Sequence, residues 1–256
     1  MRTRNILAAL LLMAGIQTAW AQKVVLNYTD GTTQKVPVSE LQDITFEEAD
    51  GTDVDNHEYV DLGLPSGTLW ATCNIGAKYP WDYGDYFAWG ETSGYNSGKT
   101  TFDLDTYKYW DATYSVVTKY CTDSSSGTID NKSELEAKDD AATVNWGTAW
   151  QMPSLLQFDE LINSSYTTTT WTTLNGVYGR MIVSKSNGNR VFLPAAGIRL
   201  DASLYDAGSY GFYWSRSLRS SNSLCGYFLD FSSRYISTSS YYYRCYGQSV
   251  RPVRVK

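Results

Sequence analysis

The sequence predicts an α+β fold dominated by antiparallel sheet. Most of the second half consists of short alternating segments bounded by turn residues, which is typical of antiparallel strands. Only two stretches, residues 132–144 and 154–163, have the period of a helix. With 256 residues and 43% hydrophobic content, the chain can bury a sizeable core, as one large domain or one domain with a small appendage.

The first 21 residues have the pattern of a cleaved export signal. Arg2 and Arg4 precede an apolar run over residues 6–16, and residues 19–21 (Ala-Trp-Ala) form a small-residue cleavage site. We therefore expect a mature chain that begins at Gln22 and is periplasmic, cell-surface or secreted. No cysteine lies at the cleavage point to carry a lipid, and no later apolar run approaches the ~20 residues of a spanning helix.

Three further segments follow the signal. Residues 22–47 predict a small β-hairpin, because two alternating stretches flank the turn-forming pair Asp30-Gly31. Residues 48–57 are acidic and poor in apolar side chains, which indicates a linker. Residues 58–256 form the main domain.

Within the main domain, the helix at residues 154–163 has the clearer signature. Ser154 and Gln157 form a capping box after a proline. Its apolar face consists of Leu155, Phe158, Leu161 and Ile162. The strands predicted after it are residues 179–183, 189–193, 211–215, 227–231 and 249–253.

Charge and cysteine content exclude some partners and leave one question open. Loss of the signal lowers the formal charge from −6 to −8, because the signal carries two arginines and no acidic residue. The basic residues are scattered, so a nucleic acid partner is not expected. Cys73, Cys121, Cys225 and Cys245 allow three complete disulfide pairings, and the sequence does not choose among them. We favour unpaired thiols over a disulfide framework.

The usual catalytic and metal-binding constellations are missing. His57 is the only histidine and falls in the predicted linker, where we expect it to be solvated, so Ser-His or Cys-His catalysis has no well-placed base. No C-x-x-C spacing suggests a metal. Asp139 and Asp140 could hold calcium or act as an acid/base pair, but an acidic pair beside a helix is the favoured interpretation. The sequence thus predicts no catalytic residue, no metal and no cofactor.

Residues 214–247 stand out by composition. The segment is crowded with Ser, Tyr and Arg and has no Lys, Glu, Gln or Met apart from its flanks. Tyrosine offers a large, stiff contact surface, serine adaptable hydrogen bonds and arginine an anchor for planar or anionic groups, as in antibody binding sites. The residue types over 216–246 are also those reached by mutating adenines in Asn codons, which is consistent with deliberate diversification. An ordinary Ser/Tyr-rich sheet would look similar.

Several phrases, in order, resemble the fibrobacter-type major paralogous domain over about residues 58–255. They are YVDLGLPSGTLW (59–70), GDYFAWGE (84–91), DDAA (139–142), WQMP (150–153), FLPAAG (192–197), YWS (213–215) and GQSVRPV (247–253). The resemblance implies a C-type-lectin-like fold, shared with formylglycine-generating enzymes and with the variable proteins of diversity-generating retroelements. In those variable proteins, the diversified residues lie near the C-terminus on a fixed scaffold.

The resemblance leads us to expect an exported, non-enzymatic protein that binds an unknown protein or glycan on another cell, a phage or a host surface. Tyr227, Leu229 and Phe231 would hold the core while the loops beyond Phe231 face outward, and Trp214 and the strand at 250–253 would supply the fixed framework on either side. The predicted ligand-binding residues are Arg216, Leu218, Arg219, Ser221, Ser223, Ser233, Tyr235, Ser237, Ser239, Tyr241, Tyr242, Tyr243, Arg244 and Tyr246.

Two alternatives remain open at this point. The first is a structural or carbohydrate-binding module of the cell envelope, whose platform for stacking on sugars could be formed by Trp70, Trp81, Trp89, Trp110, Trp146, Trp150 and Trp171. Trp70, Trp89, Trp150 and Trp214 lie within the family phrases and are expected in the core instead. The second is an oxidase of the formylglycine-generating type that uses Cys225 and Cys245, although no phrase around them matches that enzyme. The calcium-dependent sugar motifs of true C-type lectins are absent from the sequence.

Overall fold

The computed structural model describes residues 23–27, 33–37 and 57–255. Contacts divide the chain into two compact units, Met1–Thr52 and Asp53–Lys256. In the first unit, β1 (Lys23–Asn27) and β2 (Thr33–Pro37) pair antiparallel, as their alternating sequence predicts. The predicted export signal, the Asp30-Gly31 turn and residues 48–56 of the predicted linker lie outside the described residues.

The second unit is mostly antiparallel sheet with two short α-helices among the described residues. Its strands are β3 (Tyr59–Asp61), β4 (Thr68–Ala71), β5 (Trp110–Asp111), β6 (Val116–Val117), β7 (Thr167–Leu174), β8 (Val177–Ser184), β9 (Arg190–Pro194), β10 (Ile198–Leu200), β11 (Ser203–Tyr205), β12 (Gly211–Leu218), β13 (Cys225–Phe231), β14 (Ile236–Tyr243) and β15 (Val253–Val255). The helices are α1 (Ala141–Trp146) and α2 (Leu155–Leu161), with 3-10 turns at Tyr95–Ser97 and Ala137–Asp139.

Three three-stranded sheets carry the unit. Their strand orders are β12-β13-β14, β15-β4-β3 and β7-β8-β9, and every pairing within them is antiparallel. The predicted α+β class with a mainly antiparallel sheet is confirmed at this level. In the first sheet, β14 pairs with β13 on one side only, so it is an edge strand among the described residues.

The strands β12 and β13 separate two hydrophobic clusters. Trp214 lies opposite Phe228 and both belong to one cluster, while the neighbouring pair, Tyr213 and Leu229, belongs to the other. Because successive side chains of a strand point to opposite faces, this sheet is buried on both sides. The expectation that Tyr227, Leu229 and Phe231 hold the core is confirmed for Leu229 and Phe231, whereas Tyr227 is half-buried and its neighbour Phe228 is buried as well.

The aromatic core forms as expected. Trp70, Trp89, Trp150 and Trp214 each have no exposed surface. Two of them are also hydrogen-bonded to the main chain: Trp89 Nε1 donates to Ser215 O at 2.9 Å and Trp214 Nε1 to Phe87 O at 2.9 Å. Large aromatics whose polar atoms are paired consolidate a unit that has many loops.

The helix α2 is set by its own sequence. Ser154 Oγ accepts from Gln157 N while Gln157 Oε1 accepts from Ser154 N, so the predicted capping box is confirmed. Phe158 and Leu161 are buried beneath the helix, in the cluster that contains Leu229. The helix therefore covers one face of the β12-β13-β14 sheet.

The other predicted helix, residues 132–144, is wrong over most of its length. The backbone at 133–135 pairs with β12: Leu218 N donates to Ser133 O, and Leu135 N to Arg216 O. That long-range pairing replaces the local helix, and α1 begins only after Asp140, whose carboxylate caps it by accepting from Ala142 N.

The predicted strands at 179–183, 189–193, 211–215 and 227–231 lie within or largely overlap β8, β9, β12 and β13. The strand predicted at 249–253 is displaced, since β15 begins at Val253. Ser249 instead runs parallel to β12 and joins it through an isolated bridge to Tyr213. The segment is therefore fixed to the same sheet that carries β14.

Candidate recognition surface

The most exposed cluster of predicted binding residues lies at the end of β14. Tyr241, Tyr242 and Tyr243 are 45%, 38% and 44% exposed, although β13 beside them is almost wholly buried. Arg219, at the end of β12, stacks over the Tyr241 ring with its guanidinium carbon 3.2 Å from the ring centre. We call these four residues the tyrosine strip.

The tyrosine rings on the two faces of the strand pack against different neighbours. Tyr242 lies opposite Gly226 and stacks on the buried Phe228 with ring centres 6.0 Å apart. Tyr241 lies opposite Tyr227, and cross-strand partners share a face, so these two rings stand on the other side with Arg219. The strip thus presents aromatic surface on both faces of one strand end.

Gly226 is required for this arrangement. A Cβ at this position would lie 2.9 Å from the Trp89 ring and 3.2 Å from the Trp214 ring. Only glycine allows both indoles to pack against β13 beneath Tyr242. The core tryptophans therefore set the position of the strand that holds the strip.

The predicted site residues divide into three groups. Exposed are Ser221, Ser233, Tyr235, Ser239, Tyr241, Tyr242 and Tyr243. Half-buried are Arg216, Arg219, Ser237 and Tyr246. Buried are Leu218, Ser223 and Arg244.

The prediction that Arg244 lies on the binding surface, which rested on the composition of residues 214–247, is wrong. It is 1% exposed and its guanidinium lies 4.8 Å from the Trp89 ring centre. Nε donates to Tyr107 Oη at 2.8 Å, Nη1 to Ser223 O at 2.8 Å, and Nη2 to Lys119 O at 3.0 Å. The side chain ties three loops together from inside, which is a structural role.

Leu218 and Ser223 are likewise corrections. Leu218 is 3% exposed and packs in the cluster that contains Trp214. Ser223 is fully buried: its Oγ accepts from Thr122 N at 2.9 Å and its backbone N–H donates to Asp123. The hydrogen bond from Ser125, more than any other contact, holds the pKa of Asp123 below its ordinary value. Leu218 and Ser223 thus hold the β12–β13 connection in place.

Several remaining residues are occupied by local contacts. Tyr235 Oη donates to the buried Asp230 at 2.7 Å. Burial is the main cause that raises the pKa of Tyr235, and this hydrogen bond raises it further. Tyr246 packs edge-on against Tyr242 at 5.0 Å and extends the aromatic surface of the strip. Arg216 lies apart from the strip, since it pairs with Glu134 at 2.8 Å.

Arg216 lines a separate hollow of 520 Å³ beside α1, which also includes Asp140 and Trp150. The Asp140 carboxylate has a structural role there, because it accepts hydrogen bonds from Ala142 N, Thr143 N and Met152 N. Burial raises the pKa of this carboxyl. Its neighbour Asp139 accepts from Lys108 and Tyr120. The acidic pair therefore holds loops and a helix end, as the favoured interpretation had it.

His57 is not a solvated linker residue. Its ring stacks on Trp146 with centres 3.8 Å apart and an angle of 10°, and it meets Trp150 edge-on at 6.2 Å. The prediction failed because the acidic, apolar-poor composition before it gave no sign of this contact. All four cysteines are free thiols, and Cys121, Cys225 and Cys245 are buried.

A second surface cleft has a volume of 460 Å³ and lies between β7–β8 and the turn after β13. The sequence offers Trp171 as one of several tryptophans that could stack on sugars, but it gives no indication of its partner Tyr178. Trp171 and Tyr178 stack with an angle of 10° and ring centres 5.8 Å apart. Ser233 and Arg234 line its other side. The two-residue hairpin turn Asn175-Gly176 sets the register that brings the two rings together, so this turn is the signal that could have found them.

Among residues 23–27, 33–37 and 57–255, no group of three or more His, Cys, Asp or Glu residues could hold a metal ion. No helix within these ranges is long and apolar enough to cross a membrane. Comparison with known proteins gives no match to any family model, curated protein or solved structure.

Proposed function

We propose that this protein is an exported, non-enzymatic recognition protein whose tyrosine strip contacts a protein or glycan ligand on another cell, a phage or a host surface. The observation that carries the proposal is the exposure of three consecutive tyrosines on an edge strand whose neighbour is buried. Exposed aromatic side chains on a rigid base give much contact area for little loss of conformational entropy. The scaffold that we propose for this role is C-type-lectin-like and of the fibrobacter type.

Separation of framework from surface supports the same proposal. Trp214 and Val250, which bracket the Ser/Tyr-rich segment, are fully buried. Substitution of exposed residues between them leaves that core intact, and surface substitutions usually change stability by no more than about 0.5 kcal/mol. A surface of this kind tolerates diversification, which we propose for its exposed positions.

The direct test is an array of glycans and surface proteins probed with the mature chain, followed by variants against whatever binds. Tyr241→Ala and Tyr242→Ala are expected to weaken binding at least about tenfold, as central aromatic residues of an interface do. Tyr205→Ala is the matched control, since Tyr205 is 48% exposed on β11, which belongs to a different sheet from β14. Equal binding by all three variants would reject the strip as the site.

Diversification has a separate test in the neighbouring DNA. A reverse transcriptase gene and a near-copy of the coding stretch for residues 216–246, differing chiefly at adenines, are the expected finding. A locus without both would leave recognition by a fixed surface.

The cleft of Trp171 and Tyr178 favours a second candidate function, carbohydrate binding. The two nearly parallel, stacked rings offer apolar surface that suits the faces of pyranoses, and Ser233 and Arg234 supply donors for hydroxyl groups. Titration with oligosaccharides should change the tryptophan fluorescence of the native chain, and the change should be lost in Trp171→Ala and weakened in Tyr178→Ala. If the array selects glycans whose binding survives Tyr241→Ala but is lost in Trp171→Ala, this candidate replaces the first.

A further inference from the structure

The outer edge of β14 is an unpaired sheet edge. Within the described residues, β14 has β13 on one side and no strand on the other. An edge strand leaves a row of backbone N–H and C=O groups that another strand can pair with. The side-chain faces of the strip and this backbone edge are different surfaces of the same strand.

The register identifies the residues whose backbone groups point outward. Arg244 N donates to Leu224 O at 3.0 Å, just beyond the pair formed by Cys225 and Tyr243. Hydrogen-bonded and non-bonded pairs alternate along an antiparallel ladder. Tyr242 therefore bonds inward to β13, whereas Tyr241 and Tyr243 direct their backbone N–H groups to the outer edge.

This edge has few of the features that prevent strands from pairing. Residues 236–243 read ISTSSYYY and contain no charged residue and no proline. The one irregularity is a bulge at Thr238 and Ser239, which together lie opposite Leu229, and residues 240–243 beyond it are regular. Natural proteins usually protect an exposed edge of this length with lysine, proline or a covering segment.

The order of side-chain sizes along the edge fits a second copy of the same chain. We propose that two copies pair antiparallel through β14 about a twofold axis at Tyr241. In that register the two Tyr241 residues face each other across the axis, while Ser240 faces Tyr242 of the other copy and Ser239 faces Tyr243, so that the Tyr242 and Tyr243 rings each meet a small side chain. The Tyr241 N–H donates to the partner's Tyr241 carbonyl, which gives two main-chain hydrogen bonds by symmetry, and the outward Tyr243 N–H is covered by the partner strand beside its bulge.

Charge and size set the strength of this contact. The chain has a net charge of −6, but none of that charge lies within residues 236–243, so the paired strands do not repel each other locally. A single strand pair is smaller than the ~1,200–2,000 Å² of a standard stable interface. The pairing is therefore weak and depends on protein concentration.

Sedimentation equilibrium of the mature chain over a wide range of concentration tests the proposal, with a reversible monomer–dimer equilibrium as the expected result. Tyr241→Pro removes the outward N–H without removing a bond to β13, and should raise the dissociation constant about tenfold or more. Tyr241→Ala loses the same ring but keeps the N–H, and should raise it by less than about fivefold. Equal effects of Pro and Ala would show that the ring, and not the backbone edge, holds the copies together.

Amide hydrogen exchange in the unmodified chain gives a readout that does not depend on either variant. The Tyr241 and Tyr243 amides should exchange quickly at low concentration and slowly at high concentration. A chain that stays monomeric with both amides fast throughout would overturn the proposal. Slow exchange at every concentration, in a monomer, would overturn it too, because the edge would then be covered within one copy.

The dimer does not rest on the proposed function. Ligand binding through ring faces predicts defects in Tyr241→Ala and Tyr242→Ala on the array, whereas pairing predicts a defect specific to Tyr241→Pro in sedimentation. Each can therefore fail without the other.

Discussion

Arg219 covers the Tyr241 ring, with its guanidinium carbon 3.2 Å from the ring centre. Arg219 follows β12 and is held there by its own N–H, which donates to Cys225 O at 3.0 Å. The contact therefore braces the exposed end of β14 against the β12–β13 connection. A cation over an aromatic face at an exposed site contributes roughly 0.5–1 kcal/mol.

Replacement of Arg219 by alanine should loosen Tyr241 without unfolding the protein. We expect the free energy of unfolding to fall by about 1 kcal/mol or less in urea denaturation. The Tyr241 ring resonances in NMR should move toward unfolded-chain values. Arg234→Ala is the control, because Arg234 is exposed in the turn after β13, and its effect should lie within about 0.5 kcal/mol. Unchanged Tyr241 resonances in Arg219→Ala would contradict the brace.

Arg244→Ala should be far more damaging than replacement of its exposed neighbour. The substitution leaves a cavity beside Trp89 and removes the donors to Ser223 O and Lys119 O. We expect a loss of about 3–5 kcal/mol in urea denaturation, against about 1 kcal/mol or less for Tyr243→Ala. Similar losses for the two variants would mean that Arg244 does not anchor the core.

Asp139 should make the stability fall in acid. Burial alone raises the pKa of Asp139, but hydrogen bonds from Lys119, Lys108 and Tyr120 outweigh it and hold the pKa below its ordinary value. A folded pKa below the unfolded pKa gives stability that is present above the unfolded value of about 3.9 and is lost as the pH falls through the folded value.

Asp139→Asn measures this contribution directly. It should lower the free energy of unfolding by about 1–3 kcal/mol at pH 7, with the gap to the unsubstituted chain closing below about pH 4. Asp105→Asn, at an exposed carboxylate, serves as control and should change little at any pH. A gap for Asp139→Asn that stays constant down to strong acid would refute the linkage.

The thiols should differ sharply in reactivity. Burial raises the pKa of Cys73 and Cys225 and raises that of Cys245 to about 12, but Cys73 is the one cysteine that is not fully buried. Because a reagent must reach the sulfur to react with its thiolate, a disulfide reagent at pH 8 should label Cys73 first and the other three only on unfolding. Cys73→Ser should abolish the early phase. Fast labelling of Cys225 or Cys245 would instead favour the oxidase hypothesis.

Local patterns in the sequence correctly predicted the parts of the fold that depend on neighbouring residues. The capping box of Ser154 and Gln157 lies within one turn of chain, so it forms wherever α2 packs. The predicted helix at 132–144 failed because residues 133–135 pair with β12, some eighty residues later. Helical period is a weak signal when a distant strand offers hydrogen bonds to the same backbone.

For the candidate surface, composition identified the segment but could not sort its members. Tyr241, Tyr242 and Tyr243 alternate around an edge strand and remain exposed, whereas Arg244, the next residue, turns inward beneath Trp89. No pattern in the sequence YYYRCY shows that the tyrosines are exposed and the arginine buried. The difference arises because β14 ends at Tyr243 and the chain then turns inward.

By itself, the sequence determined the mainly antiparallel class, the capped helix α2 and the segment that carries the aromatic surface, because alternation, capping and composition are properties of adjacent residues. The tertiary structure alone decided that β12 and β13 are buried on both faces, that β14 is an edge, and that Arg244 belongs to the core. Each of these depends on which distant segments meet, and burial and strand pairing are fixed only when they do.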